Sequence, residues 1–326
     1  MKEIGGYFEL ELGKTGNRYH TTPYRLKSGR ASLAFVLGIL RPVNVYVPYY
    51  TCDALLEPLI AAGIPYTFYH INGDLEITSL PVLQPGELII YINYYDIKRA
   101  YAEVLSGIYG DRLIVDCTQS YFLKGNGKAW FFNSTRKFFG VPDGSDLYVP
   151  RGYELDEAFA RLPVNTNYVT GHLVARLKGD TRTGYQFFKE NELLCGIGVG
   201  RMSTLTEGLL SSVDFVAAIE TRRKNFNYLH QHFGATNLLP IDLTAVSSFY
   251  PYLLGRQIDK KTLWENNFYI PVLWADCLSR QTGDVFDTER KIASNLLPVP
   301  VDHRYTAADL EPVQQYILNN CLYESN

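Results

Sequence analysis

Along this chain, short apolar runs alternate with longer amphipathic stretches, and glycine and proline mark the breaks between them. Ser28 precedes a helical pattern, Leu33, Phe35, Val36, Leu37, Ile39 and Leu40, which Pro42 stops. The β-branched run Val43–Val47 ends at Pro48 and predicts a strand. Residues 53–62 predict a second helix, closed by Gly63 and followed by a strand at Tyr66–Tyr69. Leu88–Ile92 predicts a buried strand, Lys98–Ile108 a helix and Leu113–Val115 the next strand. Such alternation predicts an α/β fold with a mostly parallel sheet covered by helices on both faces. Ligands of such sheets gather beyond the carboxyl ends of the strands, where Tyr49–Cys52 and Asp116 both fall.

The two ends of the chain differ from this middle. Residues 1–24 predict an irregular arm with a strand candidate at Tyr7–Leu12. From about Ser203, one long amphipathic stretch, Thr204–Gln231, is followed by strand-like pieces at Ser247–Leu254, Phe268–Leu273 and Leu296–Val301. A terminal helix is expected at Ala307–Ile317. The predicted organisation is an arm (1–24), a large domain (25–202) and a smaller α+β domain (203–326) that includes the long linking helix.

Composition narrows the function classes. The chain has 326 residues, 46% hydrophobic and 20% charged, and a net charge of −3. It therefore carries no global field to recruit nucleic acid or an anionic membrane, and a phosphorylated ligand needs a local site. Five scattered cysteines (52, 117, 195, 277, 321) form no CxxC pair, which favours reduced thiols in a cytoplasm over disulfides or zinc. The first residues, MKEIGGYFELELGKTG, have acids and glycines where a signal peptide needs an apolar region, and no apolar run approaches a membrane span.

Candidate chemistry concentrates in Asp116–Gly144. Asp116 ends an apolar strand, and Lys137 follows a second apolar run, Ala129–Phe132, with Ser134 three positions before it and a glycine turn after it. An acid and a lysine at two strand ends are the pair a pyridoxal phosphate (PLP) enzyme uses: the lysine forms a Schiff base and the acid keeps the pyridine nitrogen protonated. On position alone such a lysine is a solvated strand end, and Asp116 a surface acid or helix cap. Arg136 beside Lys137 supplies a cation that favours the free amine, Ser134 offers a phosphate donor, and Gln119 a donor to a ring hydroxyl; otherwise Gln119 is an exposed loop amide. Ser28-Gly29-Arg30 opens a helix and presents free amides to an anion, although most such turns only start helices. Tyr50 in Tyr49–Cys52 either stacks on a flat ring or packs at an interface. Cys52 and Cys117 lack a histidine placed by local pattern to activate them, which favours inert thiols. Ser134–Lys137 matches S-x-x-K and Lys14–Gly16 matches K-T-G, as in penicillin-binding proteins. Their order is reversed and no S-D-N occurs, which argues against that reading.

From these residues the sequence resembles the fold-type-I PLP enzymes, and within them the DegT/DnrJ/EryC1/StrS sugar aminotransferases, over roughly residues 24–317. LKSGRASLAFVL is similar to the family's phosphate-binding S-G-T-x-A-L. VYVPYYTCDALLEPLIAAGIPYTFYHIN resembles its V-P-x-x-T-(F/W) segment, and LIVDCTQSYF its strand bearing the acid. FFNSTRKFFGVPDGSDLY resembles its lysine segment, GVGRMSTLTEGLL its N-Y-R-M segment, and Glu220–Asn225 its helix entering the small domain. The resemblance implies Lys137 as Schiff-base lysine and acid/base, Asp116 on the pyridine nitrogen, Gln119 on the ring hydroxyl, and Ser28, Gly29, Arg30 and Ser134 around the phosphate. It implies Tyr50 or Cys52 near the ring, and a homodimer with active sites between subunits. Arg201 then faces the partner's site, and Arg304 is a candidate carboxylate binder or else a surface arginine. Three positions depart from the family: Phe132 replaces its serine, Cys52 its stacking aromatic, and Val199 the asparagine that reaches the partner's phosphate.

The expected function is a cytoplasmic PLP aminotransferase moving an amino group, from glutamate as the expected donor, to a keto sugar nucleotide, in surface polysaccharide or amino-sugar biosynthesis. Its partners are small molecules and a second copy of the chain, with no metal, nucleic acid or membrane. A PLP lyase, desulfurase or racemase acting on an amino acid, and a non-catalytic fold relative that binds a ligand, stay open as alternatives.

Overall fold

The computed structural model describes residues 10–13, 18–196, 198–257 and 260–321. The strand candidate Tyr7–Leu12 lies largely outside them, and Leu10–Leu12 form no strand. The first elements are β1 (Tyr24–Leu26), α1 (Gly29–Leu40), β2 (Asn44–Pro48), α2 (Asp53–Ala61), β3 (Tyr66–Tyr69) and β4 (Glu87–Ile92). They continue with α3 (Arg99–Tyr109), β5 (Leu113–Cys117), β6 (Trp130–Asn133) and β7 (Ser145–Tyr148). These strands form one seven-stranded sheet in the order β1-β7-β6-β5-β4-β2-β3. Only β7 runs antiparallel to its neighbours. The central strands β4, β5 and β6 are buried along nearly their whole length, which is why they are continuous apolar runs rather than alternating ones. The mostly parallel sheet predicted from the alternation is thus found, with one antiparallel strand.

Beyond the sheet come α4 (Asp156–Ala160), α5 (Gly171–Leu177), α6 (Thr181–Gly196), α7 (Thr204–Ser211) and α8 (Phe215–Phe233). They are followed by β8 (Phe249–Leu253), α9 (Lys260–Glu265), α10 (Asp276–Ser279), α11 (Asp287–Asn295), β9 (Leu296–Pro300) and α12 (Ala307–Cys321). Two expectations are corrected here. The long stretch from Thr204 is two helices, because the Asp214 carboxylate accepts from the Ala217 amide and starts a new helix. Phe268–Leu273 is not a strand: β8 pairs with β9 instead, and Asn267 turns the chain in the left-handed region at φ 63°. No helix among the described residues is long and apolar enough to cross a membrane.

A single buried cluster runs through both sheets. Its joint is the end of β2. The Tyr49 ring stacks on Phe286 at 3.9 Å, and its hydroxyl donates to the Cys277 carbonyl at 2.8 Å. Arg280 Nη1 donates to the Tyr49 carbonyl at 2.7 Å, and Tyr50 meets Trp274 edge-on at 4.9 Å.

On the β6–β7 side, His20 is buried between Tyr148, whose hydroxyl lies 2.8 Å from Nδ1, and the Tyr121 carbonyl, 2.7 Å from Nε2. Nε2 therefore carries the proton, and Nδ1 accepts from the tyrosine. Burial holds this imidazole below its ordinary value of 6.5, with the Asp146 charge opposing. The folded chain keeps His20 neutral while the unfolded chain takes up a proton, so below that pH the unfolded state binds more protons and stability falls. His20→Gln should therefore show a smaller loss of stability than the parent between about pH 7.5 and about pH 5.5, read from urea midpoints. Equal losses would contradict the buried neutral imidazole.

Candidate functional site

The carboxyl edge of the parallel strands carries a narrow cleft. Its walls come from the first turn of α1, the chain after β2, the end of β5 and the turn after β6. Lys137 and Asp116 both line it. The β5–β6 register sets Asp116 beside Phe132, so the acid and the lysine turn leave neighbouring strands at the same level.

Thr118 joins the two groups. Its amide donates to Asp116 Oδ1 at 2.7 Å, and its hydroxyl accepts from Lys137 Nζ at 3.2 Å. The Asp116 carboxyl is buried, and burial raises it above the ordinary range, while the Lys137 charge and the Thr118 hydrogen bonds pull it back only partly. A carboxylate in that position is stabilised by a cation placed against it. Thr118 was not singled out in the sequence; its position two residues after the acid, in an Asx-turn, is the signal that finds it.

The lysine turn is held from three sides. Thr135–Lys137 is a short 3₁₀ turn whose Lys137 carbonyl accepts from Ser248 Oγ at 3.0 Å. The next carbonyl, Phe138, accepts from Arg222 Nη2 at 2.7 Å. Arg222, from α8, is fully buried; Nη1 reaches the Ser247 carbonyl and Ser248 Oγ, and its guanidinium lies 4.8 Å from the Phe138 ring centre. Burial without a contacting carboxylate pushes this arginine down to about 10, with the Asp302 charge opposing. A sequence signal existed: Arg222 falls on the buried stripe of α8 with Ala218, Asn225, Phe226 and Leu229. On the third side, buried Asp143 accepts from Ser203, Asn165 and Thr206 and so ties the turn to the start of α7.

At the other wall, Ser28 caps α1. Its Oγ accepts from the Ala31 amide at 3.1 Å and donates to the Cys195 carbonyl at 2.8 Å. The first amides of a helix have no intrahelical acceptor, so those of Gly29 and Arg30 are open to an anion. Gly29 is tightly placed: a Cβ there would lie 3.1 Å from Thr118 and 3.3 Å from the Phe132 ring. Ser134 also borders the cleft and is nearly buried, and its hydroxyl makes no hydrogen bond with a described residue. Cys52 lines the cleft, and burial holds its thiol above the ordinary value despite Lys137, so it is a poor nucleophile.

Ser28, Gly29, Arg30, Cys52, Asp116, Ser134 and Lys137 are therefore gathered at one cleft, while other candidates lie elsewhere. Tyr50 is turned into the core against Tyr94 and Trp274 rather than towards the cleft, because the chain around Trp274 covers the end of β2. Gln119 is not an exposed loop amide: it is buried, its Oε1 lacks a partner, and it is not among the cleft's lining residues. Arg201 lies on an extended segment bridged to Leu26 and Val164, away from the cleft. Arg304 is committed to Asp302 through two hydrogen bonds of 2.7 and 2.8 Å, which leaves it poorly placed to bind another carboxylate.

The architecture has known counterparts. A DegT DnrJ EryC1 StrS aminotransferase from Brucella abortus superposes with a TM-score of 0.63 at 15% identity, covering 91% of this chain and 85% of its own. NtdA from Bacillus subtilis, with bound cofactor PMP, gives 0.64 at 15% identity over 92% of this chain and 73% of its own. The sugar aminotransferase CalS13 from Micromonospora echinospora gives 0.58 at 14% identity over 91% and 86%. This chain has the type I fold of the PLP-dependent transferases. No protein-family model and no curated protein matches the sequence.

In this type I frame, Gly144 is the residue on which the lysine turn closes. Its φ is 116°, its amide donates to the Lys27 carbonyl at 2.6 Å, and its carbonyl accepts from the Thr135 amide at 3.1 Å. A Cβ would fall 2.3 Å from Thr135 Oγ1. Gly144→Ala should destabilise the chain by at least about 2 kcal/mol in urea unfolding. A loss under about 0.5 kcal/mol would contradict this account of the turn.

Proposed function

We propose that this chain is a PLP-dependent aminotransferase that moves an amino group from an amino acid, with glutamate as donor, to a keto sugar nucleotide. The observation that carries the reading is the pair Asp116 and Lys137, joined by Thr118 at the carboxyl edge of a type I sheet. The structural neighbours, sugar aminotransferases and a PMP complex among them, support the substrate class and the cofactor. In keeping with the resemblance, the active form is a cytoplasmic homodimer, with residues 25–202 holding the cofactor and 203–326 forming the smaller domain.

The residues present fit the cofactor. A buried carboxyl raised by desolvation suits a pyridinium nitrogen, and an unpaired Ser134 hydroxyl beside two free helix amides suits a phosphate. PLP bound there supplies an aldehyde carbon and an electron-withdrawing ring for transamination. Asp116 holds negative charge at the cleft, with its Oδ1 fixed by the Thr118 amide. Lys137 Nζ is the one amine among the lining residues; it takes a proton from the substrate carbon and returns it, acting as base and then acid. Its hydrogen bond to Thr118 Oγ1 orients it for that transfer. Phe132, buried and lining the cleft, gives it an apolar wall.

Incubation with PLP followed by borohydride should fix the cofactor to Lys137, seen by peptide mass mapping, and glutamate should convert bound PLP to pyridoxamine phosphate. Lys137→Ala should lower turnover by at least about 100-fold. Labelling of another lysine, or none, would overturn the assignment. Labelled Lys137 without pyridoxamine phosphate formation would favour a lyase or racemase.

A further inference from the structure

Arg136, immediately before the lysine, has an unspent donor. Its side chain is 9% exposed; Nη2 donates to Glu192 Oε2 at 2.6 Å, while Nη1 is buried with no partner. The guanidinium borders the cleft together with Ser134 and the start of α1. A buried guanidinium N–H without an acceptor is costly unless a ligand fills the gap.

Glu192 of α6 fixes where this donor lies. Its other oxygen, Oε1, accepts from Arg30 Nη2 at 2.8 Å, so one carboxylate spans Arg136 and the first turn of α1. The Arg30 side chain is otherwise occupied: Nη2 also reaches the Glu192 carbonyl at 2.6 Å, and Nη1 reaches Glu57 Oε2 at 2.8 Å. Arg30 thus offers the cleft its amide, and Ser28 Oγ is already engaged at both its donor and acceptor sides. Four groups of the cleft's lining residues are without a partner: the amides of Gly29 and Arg30, the Ser134 hydroxyl and Arg136 Nη1, the last of them buried. Two amides at the positive end of a helix, a hydroxyl and a guanidinium match the oxygens of a phosphate.

We infer that Arg136 is a phosphate-binding residue of this cleft, held in place by Glu192 and acting with Ser134 and the α1 amides. Naming the phosphate as that of PLP rests on the function proposed above; the anion site itself does not. The ion pair with Glu192 accounts for Nη2 and leaves Nη1 without a role in the fold.

The test compares PLP, pyridoxal (which lacks the phosphate) and inorganic phosphate on the full chain, by equilibrium titration and by the shift in melting midpoint. Arg136→Gln should weaken PLP about 10- to 100-fold and pyridoxal less than about 3-fold, with the melting shift by inorganic phosphate lost. Arg136→Lys should recover part of the PLP affinity, and it carries the same comparison if the glutamine variant does not fold. Equal weakening of PLP and pyridoxal, or of neither, would overturn the inference. Phosphate binding that depends on Arg136 in a chain that binds no PLP would refute the cofactor reading and still support the site. A parent chain that responds to neither PLP nor phosphate would overturn both.

Discussion

The parallel register of β5 on β6 is the constraint from which the site follows. Asp116 pairs with Phe132 and Cys117 with Asn133, so the acid and the start of the lysine turn leave adjacent strands at one level. A slip by one residue would exchange the faces of every side chain on the strand and turn Asp116 away from the cleft. What prevents the slip is burial on both faces. Ile114, Val115, Trp130 and Phe131 are almost wholly inaccessible, and Trp130 Nε1 is also tied to the Asp111 carbonyl at 2.9 Å. A slip would force each of these large side chains into a site shaped for another, at a cost of about 1–3 kcal/mol each.

Around that register, buried charge is arranged so that each group answers a different need. Asp143 is saturated by donors from Asn165, Ser203 and Thr206 and serves as a fixed peg under the turn. Arg222 gives both Nη groups to carbonyl oxygens and lies against aromatic faces, an arrangement that suits holding a backbone in place, while its Nε is buried without a partner. Asp116 differs from both: Thr118 answers only part of its burial, and its carboxyl stays raised. Leaving a buried carboxyl this poorly compensated costs about several kcal/mol if it is ionised, so the fold holds it ready for an added cation. Asp143 and Asp116 are both buried acids, and they differ in place: Asp116 lines the cleft beside Lys137, whereas Asp143 is enclosed by its donors.

The sequence carried most of this frame because the central strands are long apolar runs and α1 begins at a serine cap followed by a regular stripe. Asp116, Lys137 and Ser134 were legible for the same reason, since each directly follows such a strand. Other parts were not legible. β1 and β7 are three and four residues long, too short for a period to show. Helix α5 starts without a side-chain cap, Asp180 caps α6, and the two helices bury few residues, so the stretch that contributes Glu192 gave no apolar period. Arg222 was read only as part of a long amphipathic stretch, although its spacing places it on the buried face of α8.

Tyr49 and Tyr50 show why residue type alone misleads at this edge. A tyrosine just after a strand is as able to stack on a ligand as on another side chain, and only the partner decides. Here the partner comes from more than two hundred residues later: Phe286 stacks on Tyr49, and Trp274, held at φ 53°, meets Tyr50 and Tyr94. The aromatic edge of β2 is thereby used to weld the C-terminal segments to the main sheet, and the small Cys52 is left to face the cleft. The β2 end of the cleft therefore presents a thiol rather than a ring, and the unpartnered polar groups of the lining belong to α1 and to the turn after β6.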